Sequence, residues 1–111
     1  MTTFDERERA FEKKFSMDQE FKFKAEARRN RLLAEWAAAK LGLSGPAVND
    51  YVRDVVKADL AGTGDGAYRK LKRDLEQSRV GVSDDELRNA MREFLQAAVR
   101  QIEDAATSRS R

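Results

Sequence analysis

Between Leu41 and Pro46 the chain has only Gly42-Leu43-Ser44-Gly45 in which to turn, and that limit decides the architecture. Before the turn, Asp18 to Leu41 carries Leu32, Leu33, Trp36, Ala37 and Leu41 one helical turn apart, an apolar stripe. Beyond it, Val48, Tyr51, Val52, Val55, Val56 and Leu60 recur with the same period over about 46–61. Two helices joined so tightly must fold back antiparallel. The turn residues agree: Gly42 suits the left-handed position past a helix end, Ser44 can cap the next helix, and Pro46 fits its first turn. Leu43 is placed to staple onto Val48.

Two further helices follow. Gly62-Thr63-Gly64-Asp65-Gly66 lacks the Gly-Lys-Ser/Thr ending of a phosphate loop and follows no strand, so it reads as a linker with Asp65 as the next cap. The third helix spans about 66–79, with Tyr68, Leu71 and Leu75 inward and Val80-Gly81-Val82 closing it. Ser83 and Glu86 form a capping box, Val82 and Leu87 a staple, and Asp84, Asp85 and Glu86 put three acids where the helix dipole favours them. The fourth helix, carrying Leu87, Met91, Phe94, Leu95, Ala98, Val99 and Ile102, is expected to end near Ala106. No segment alternates like a strand and none repeats. The expectation is all-α: a small four-helix bundle over 18–106, a flexible N-terminal arm over 1–17, and a disordered tail over 107–111.

Composition bounds function. A chain of 111 residues with an apolar fraction of 41% supports one modest core. Lysine and arginine total 22 against 20 acids, a net charge of +2 that argues only weakly for nucleic acid. The sequence holds neither cysteine nor histidine, which removes thiolate chemistry, disulfides and the commonest general base and metal ligand. Its paired acids fall in a cap that solvation explains, so the reading is a protein that is not an enzyme and needs no cofactor or metal. No apolar run reaches a spanning length and no apolar leader opens the chain, which reads as cytoplasmic without direct membrane insertion.

Two segments carry candidate binding chemistry. In residues 1–17 the capping-box pair Thr3 and Glu6 can start a helix, and Phe4, Phe11 and Phe15 then share one face. Three apolar residues make a stripe too narrow to hold so short a helix by itself, so the arm is expected to fold in a partner's groove. The blander reading, in which these phenylalanines extend the core, has equal weight from spacing alone. Lys22, Lys24, Arg28, Arg29 and Arg31 read either as a solvated face or as an anion site, since arginine forks match phosphate geometry.

The opening Met1-Thr2-Thr3-Phe4-Asp5-Glu6-Arg7-Glu8-Arg9-Ala10-Phe11-Glu12-Lys13-Lys14-Phe15 resembles the start of the zeta subunit of alphaproteobacterial ATP synthases. So does Phe23-Lys24-Ala25-Glu26-Ala27-Arg28-Arg29-Asn30-Arg31-Leu32-Leu33, followed by Trp36-Ala37-Ala38 and Leu41-Gly42. The likeness thins through Tyr51, Val55, Val56, Ala58 and Asp59, then Arg69-Lys70-Leu71 and Asp74-Leu75, and lapses at 77–82 and 107–111. It implies a four-helix bundle whose mobile arm inhibits ATP hydrolysis by the catalytic head (alpha, beta and gamma subunits) of the F-type ATP synthase. Carried over by position, the partner-binding residues are Phe4, Asp5, Arg7, Glu8, Phe11 and Phe15. Some family members are said to bind ATP or ADP weakly; no motif marks that site, and Lys22, Lys24, Arg28 and Arg31 are its candidates. A protein monomeric when free, peripheral to the inner membrane through the synthase and without nucleic acid, completes the expectation. Set against it are a helical adaptor for another partner and an RNA-binding module using the basic face of the first helix.

Overall fold

A computed structural model describes residues 19–61 and 65–109, with side chains up to residue 105. The expected arm, the Thr3–Glu6 box and Asp18 at the start of the first helical stretch lie outside the described residues. Four helices make up the fold: α1 (Gln19–Lys40), α2 (Pro46–Ala61), α3 (Gly66–Gln77) and α4 (Asp84–Arg109). No strand occurs among the described residues. The all-α four-helix architecture read from the periodicity is the one observed.

Helix α1 lies at the centre, packed on both α2 and α4, while α3 packs mainly on α2. Each neighbouring pair runs antiparallel. Asn30 meets Asp59 across α1 and α2, Trp36 meets Phe94 and Arg28 meets Gln101 across α1 and α4, and Tyr51 meets Asp74 across α2 and α3.

The turn after α1 forms as its residues dictate. The Leu43 N–H reaches the Ala38 carbonyl at 2.9 Å and the Gly42 N–H the Ala39 carbonyl at 3.2 Å, with Gly42 left-handed at φ 79°. That pair of bonds satisfies carbonyls the helix end would otherwise orphan. The cap of α2 departs from expectation. Gly45, at φ 62°, is the residue directly before Pro46, so Ser44 stands outside the cap position.

The core is built on small residues. Leu33, Ala34, Ala37 and Ala38 of α1 are fully buried, whereas Trp36 and Leu41 lie half-buried at its margin. Alanine on a contact face lets neighbouring helices approach closely and leaves the larger Leu71, Leu75 and Leu87 to fill the space between. Trp36 and Phe94 meet edge to face at 6.3 Å between centroids.

In α2 the inward row is Tyr51, Val55 and Asp59, four residues apart. Val48, Val52 and Val56 flank it half-buried, and Leu60, expected inward, is 79% exposed. Burying Asp59 in the last turn rotates its neighbour Leu60 out of the interface. Helix α4 runs three residues past its expected end, to Arg109.

Candidate functional site

Residues 19–31 of α1 connect directly to the segment expected to bind a partner, and polar contacts hold them. Among residues 19–29 the one fully buried side chain is that of Ala25. Asn30 then sits in the interior at 3% exposure, the one buried polar residue among those described. A buried amide is stable only when its donors and acceptor are engaged.

Its two partners are Arg29 beside it and Asp59 of α2. The Asn30 carbonyl oxygen accepts from Arg29 Nη2 at 2.8 Å and Nε at 3.1 Å. Its Nδ2 donates to Asp59 Oδ2 at 2.9 Å, and Arg29 Nη2 lies 3.5 Å from that same oxygen. The other oxygen, Asp59 Oδ1, accepts the Ala67 N–H at 3.2 Å. One carboxylate thus joins α1, α2 and the first turn of α3. The Arg29 and Asp59 side chains retain only 12% and 11% exposure, so solvent screens the pair weakly. No buried side-chain nitrogen or oxygen among the described residues lacks a partner.

Backbone geometry brings Asp59 there. Gly66 opens α3 against the end of α2 so closely that a Cβ on it would lie 2.0 Å from the Ala58 carbonyl oxygen. Asp65, expected to cap α3, makes no side-chain cap bond; its carboxylate takes Arg69 Nε at 2.9 Å. Asp59 supplies the missing acceptor from the preceding helix, where its charge also suits the positive helix end.

Further along the same interface, the Tyr51 hydroxyl donates to Asp74 Oδ2 at 2.8 Å. Lys70 Nζ meets that oxygen at 3.1 Å and lies 5.2 Å from the Tyr51 ring centre. Burial first, then the Asp74 hydrogen bond and negative charge, raise the Tyr51 hydroxyl well above its ordinary 10.0.

Of the candidate anion residues, three converge. Lys24, Arg28 and Arg31 follow helical spacing along one face, whereas Lys22 points to the opposite side of α1. Two of the three are already engaged in exposed pairs, Lys24 with Glu20 and Arg31 with Glu35, both at 3.4 Å. Arg28 donates to Gln101 of α4 at 3.4 Å. Arg29, grouped with them in the sequence, instead belongs to the Asp59 network. Asn30 and Asp59 escaped sequence reasoning, though a signal existed: each is a polar residue on an otherwise apolar helical row.

Among the described residues no three His, Cys, Asp or Glu side chains gather as metal ligands, and no helix is long and apolar enough to cross a membrane. Phe4, Asp5, Arg7, Glu8, Phe11 and Phe15 lie outside the described residues.

No curated protein matches the sequence. The family model described as ATPase inhibitor subunit zeta matches residues 1–101, which takes in residues 1–17, α1 to α3 and most of α4. With more than half its length matched, the chain belongs to the family of ATPase inhibitor zeta subunits.

Proposed function

We propose that this chain is a regulatory subunit that docks on the catalytic head of the F-type ATP synthase, with residues 1–17 entering a catalytic interface as a helix and stopping ATP hydrolysis. The observation that carries the reading is the family match, which includes that segment along with the bundle. Physical chemistry supports it. A rotary ATPase changes the clefts between its subunits as it turns, and a ligand that fits one form of a cleft stabilises that form and stalls the cycle. Ordering a short helix on binding is unfavourable, but three phenylalanines contribute ~1.5–3 kcal/mol each when fully buried. The bundle, held on the outside of the head, keeps the arm at high local concentration. In this reading the free subunit is monomeric and reaches the membrane only through the synthase. A weak adenine nucleotide site would use Lys24, Arg28 and Arg31, the three that share a face.

Deleting residues 1–17 is expected to leave the helical circular dichroism of the bundle in place while abolishing inhibition of purified ATPase. Inhibition that survives the deletion would remove the arm as effector. Phe11→Ala is expected to weaken inhibition without lowering the melting temperature of the free protein. Loss of nucleotide affinity in an Arg28→Ala/Arg31→Ala variant, read by calorimetry, tests the anion face separately.

A further inference from the structure

The N-terminal half of α1 buries few of its own side chains, and residues 1–18 precede it in the chain. Ala25 is its one fully buried side chain before Asn30, while Glu20, Phe23, Lys24, Ala27 and Arg28 are all exposed. On the α4 side Arg28 bonds Gln101 at 3.4 Å, an exposed contact near the limit of a hydrogen bond. On the other side stands the shielded network of Arg29, Asn30, Asp59 and the Ala67 N–H. From Asn30 back to Gln19 the helix extends roughly 16 Å, so a tilt of roughly 10° at the network moves the start of α1 by roughly 3 Å.

We propose that Asn30 and Asp59 are positioning residues for inhibition: they lock α1 to the junction of α2 and α3, and so set the direction in which the arm leaves the bundle. This rests on the arm being the inhibitory element. The chemistry of the network favours such a role. A desolvated ion pair contributes little more to stability than apolar residues of equal volume, but its directional bonds accept one arrangement of the helices and reject others. Apolar packing on alanine would let α1 slide or tilt at small penalty; a carboxylate shared by three helices does not. The contribution to binding is entropic and geometric, because an arm aimed at its cleft has a higher effective concentration there.

The test uses the full-length chain and purified F-type ATPase head, reading the concentration that halves ATP hydrolysis at a temperature where circular dichroism shows every variant folded. Two variants break the network: Asp59→Ala, and the volume-matched Arg29→Met/Asn30→Leu/Asp59→Leu, which keeps the site filled. Both are expected to raise the half-inhibitory concentration by about tenfold and to speed amide exchange over residues 19–29. Leu87→Ala, which empties core space at the start of α4, is the stability control and should inhibit at the wild-type concentration despite its lower melting temperature. Wild-type potency in the network variants overturns the proposal, as does an equal loss of potency in Leu87→Ala. A Phe4→Ala/Phe11→Ala/Phe15→Ala variant that inhibits normally points elsewhere, to failure of the arm reading itself.

Discussion

The two ends of α3 solve one problem by opposite means. Every helix end leaves backbone groups without partners. At its C-terminus α3 satisfies them from its own neighbourhood: the Val80 N–H returns to the Leu75 carbonyl at 2.9 Å and the Arg79 N–H to the Glu76 carbonyl at 3.1 Å. Six residues beyond Gln77, α4 is capped just as locally, the Ser83 hydroxyl accepting the Glu86 N–H at 3.1 Å. At its N-terminus α3 borrows Asp59 from another helix, and Asp59 is bound in turn to Arg29 and Asn30 of a third. A local closure can fray or shift with little consequence elsewhere. The borrowed one makes the α2–α3 junction and the mounting of α1 a single mechanical unit.

The largest expected effect breaks that unit by force. Gly66→Ala places a methyl 2.0 Å from the Ala58 carbonyl oxygen and 2.9 Å from the Asp59 Cα, backbone atoms that cannot swing aside. The helices must part, at a cost of about 3 kcal/mol or more, which thermal or urea unfolding would register as a large fall in midpoint. A midpoint near wild type would mean the junction is not tightly closed. Next comes Asp59→Ala, which strands Arg29, Asn30 and the Ala67 N–H together and should destabilise by about 2–4 kcal/mol. Ser83→Ala, its local counterpart, is expected to lose about 1 kcal/mol. Equal losses from the two would show that the borrowed cap is no more than a cap.

Of the same size as the Ser83 effect is that of Tyr51, midway along the α2–α3 contact. Its hydroxyl is held protonated well above 10.0 in the folded chain, so the stability it contributes is complete below that value and drains away as pH rises through the higher folded value. Unfolding measured on the alkaline side of pH 10 should therefore show falling stability. Tyr51→Phe should lose about 1 kcal/mol at neutral pH and flatten part of that alkaline slope. A slope unchanged by the substitution would assign it to other groups.

What the sequence revealed and what it hid divide along the same line. The four helices, the left-handed Gly42 and the Ser83 cap were legible because each depends on residues within a few positions of one another. Asp65 was chosen as the α3 cap by the same local logic and does hold the N-cap position, but its side chain makes no cap bond, and Asp59 accepts the Ala67 N–H from outside that window. Leu60 looked like the last member of the α2 stripe, but the buried row is Tyr51, Val55 and Asp59, which leaves it in solvent. Asn30 was hidden inside a basic run, although it precedes Leu33 and Ala34 on the buried row of α1. A polar residue on an apolar row marks a long-range contact; sequence shows the mark without naming the partner.

Two helix ends with the same hydrogen bonds offer the smallest and sharpest comparison. After α1 the left-handed position holds Gly42 at φ 79°, and after α3 it holds Arg79 at φ 58°. A side chain there brings Cβ against the following carbonyl, an unfavourable contact of roughly 1 kcal/mol that glycine avoids. Arg79 is exposed and lies in the locally closed end, so Arg79→Gly should leave the bundle otherwise unchanged. Part of the gain is offset by the greater freedom of glycine in the unfolded chain, so the expected net effect is stabilisation by about 0.5 kcal/mol and a melting temperature higher by a few degrees. The reverse change, Gly42→Arg, should destabilise by a similar amount, since nothing lies within 4 Å of a Cβ built there and strain alone opposes it. If Arg79→Gly instead lowers the melting temperature, the arginine must make a stabilising contact that outweighs its strained backbone, and the second end of α3 would prove less local than its hydrogen bonds imply.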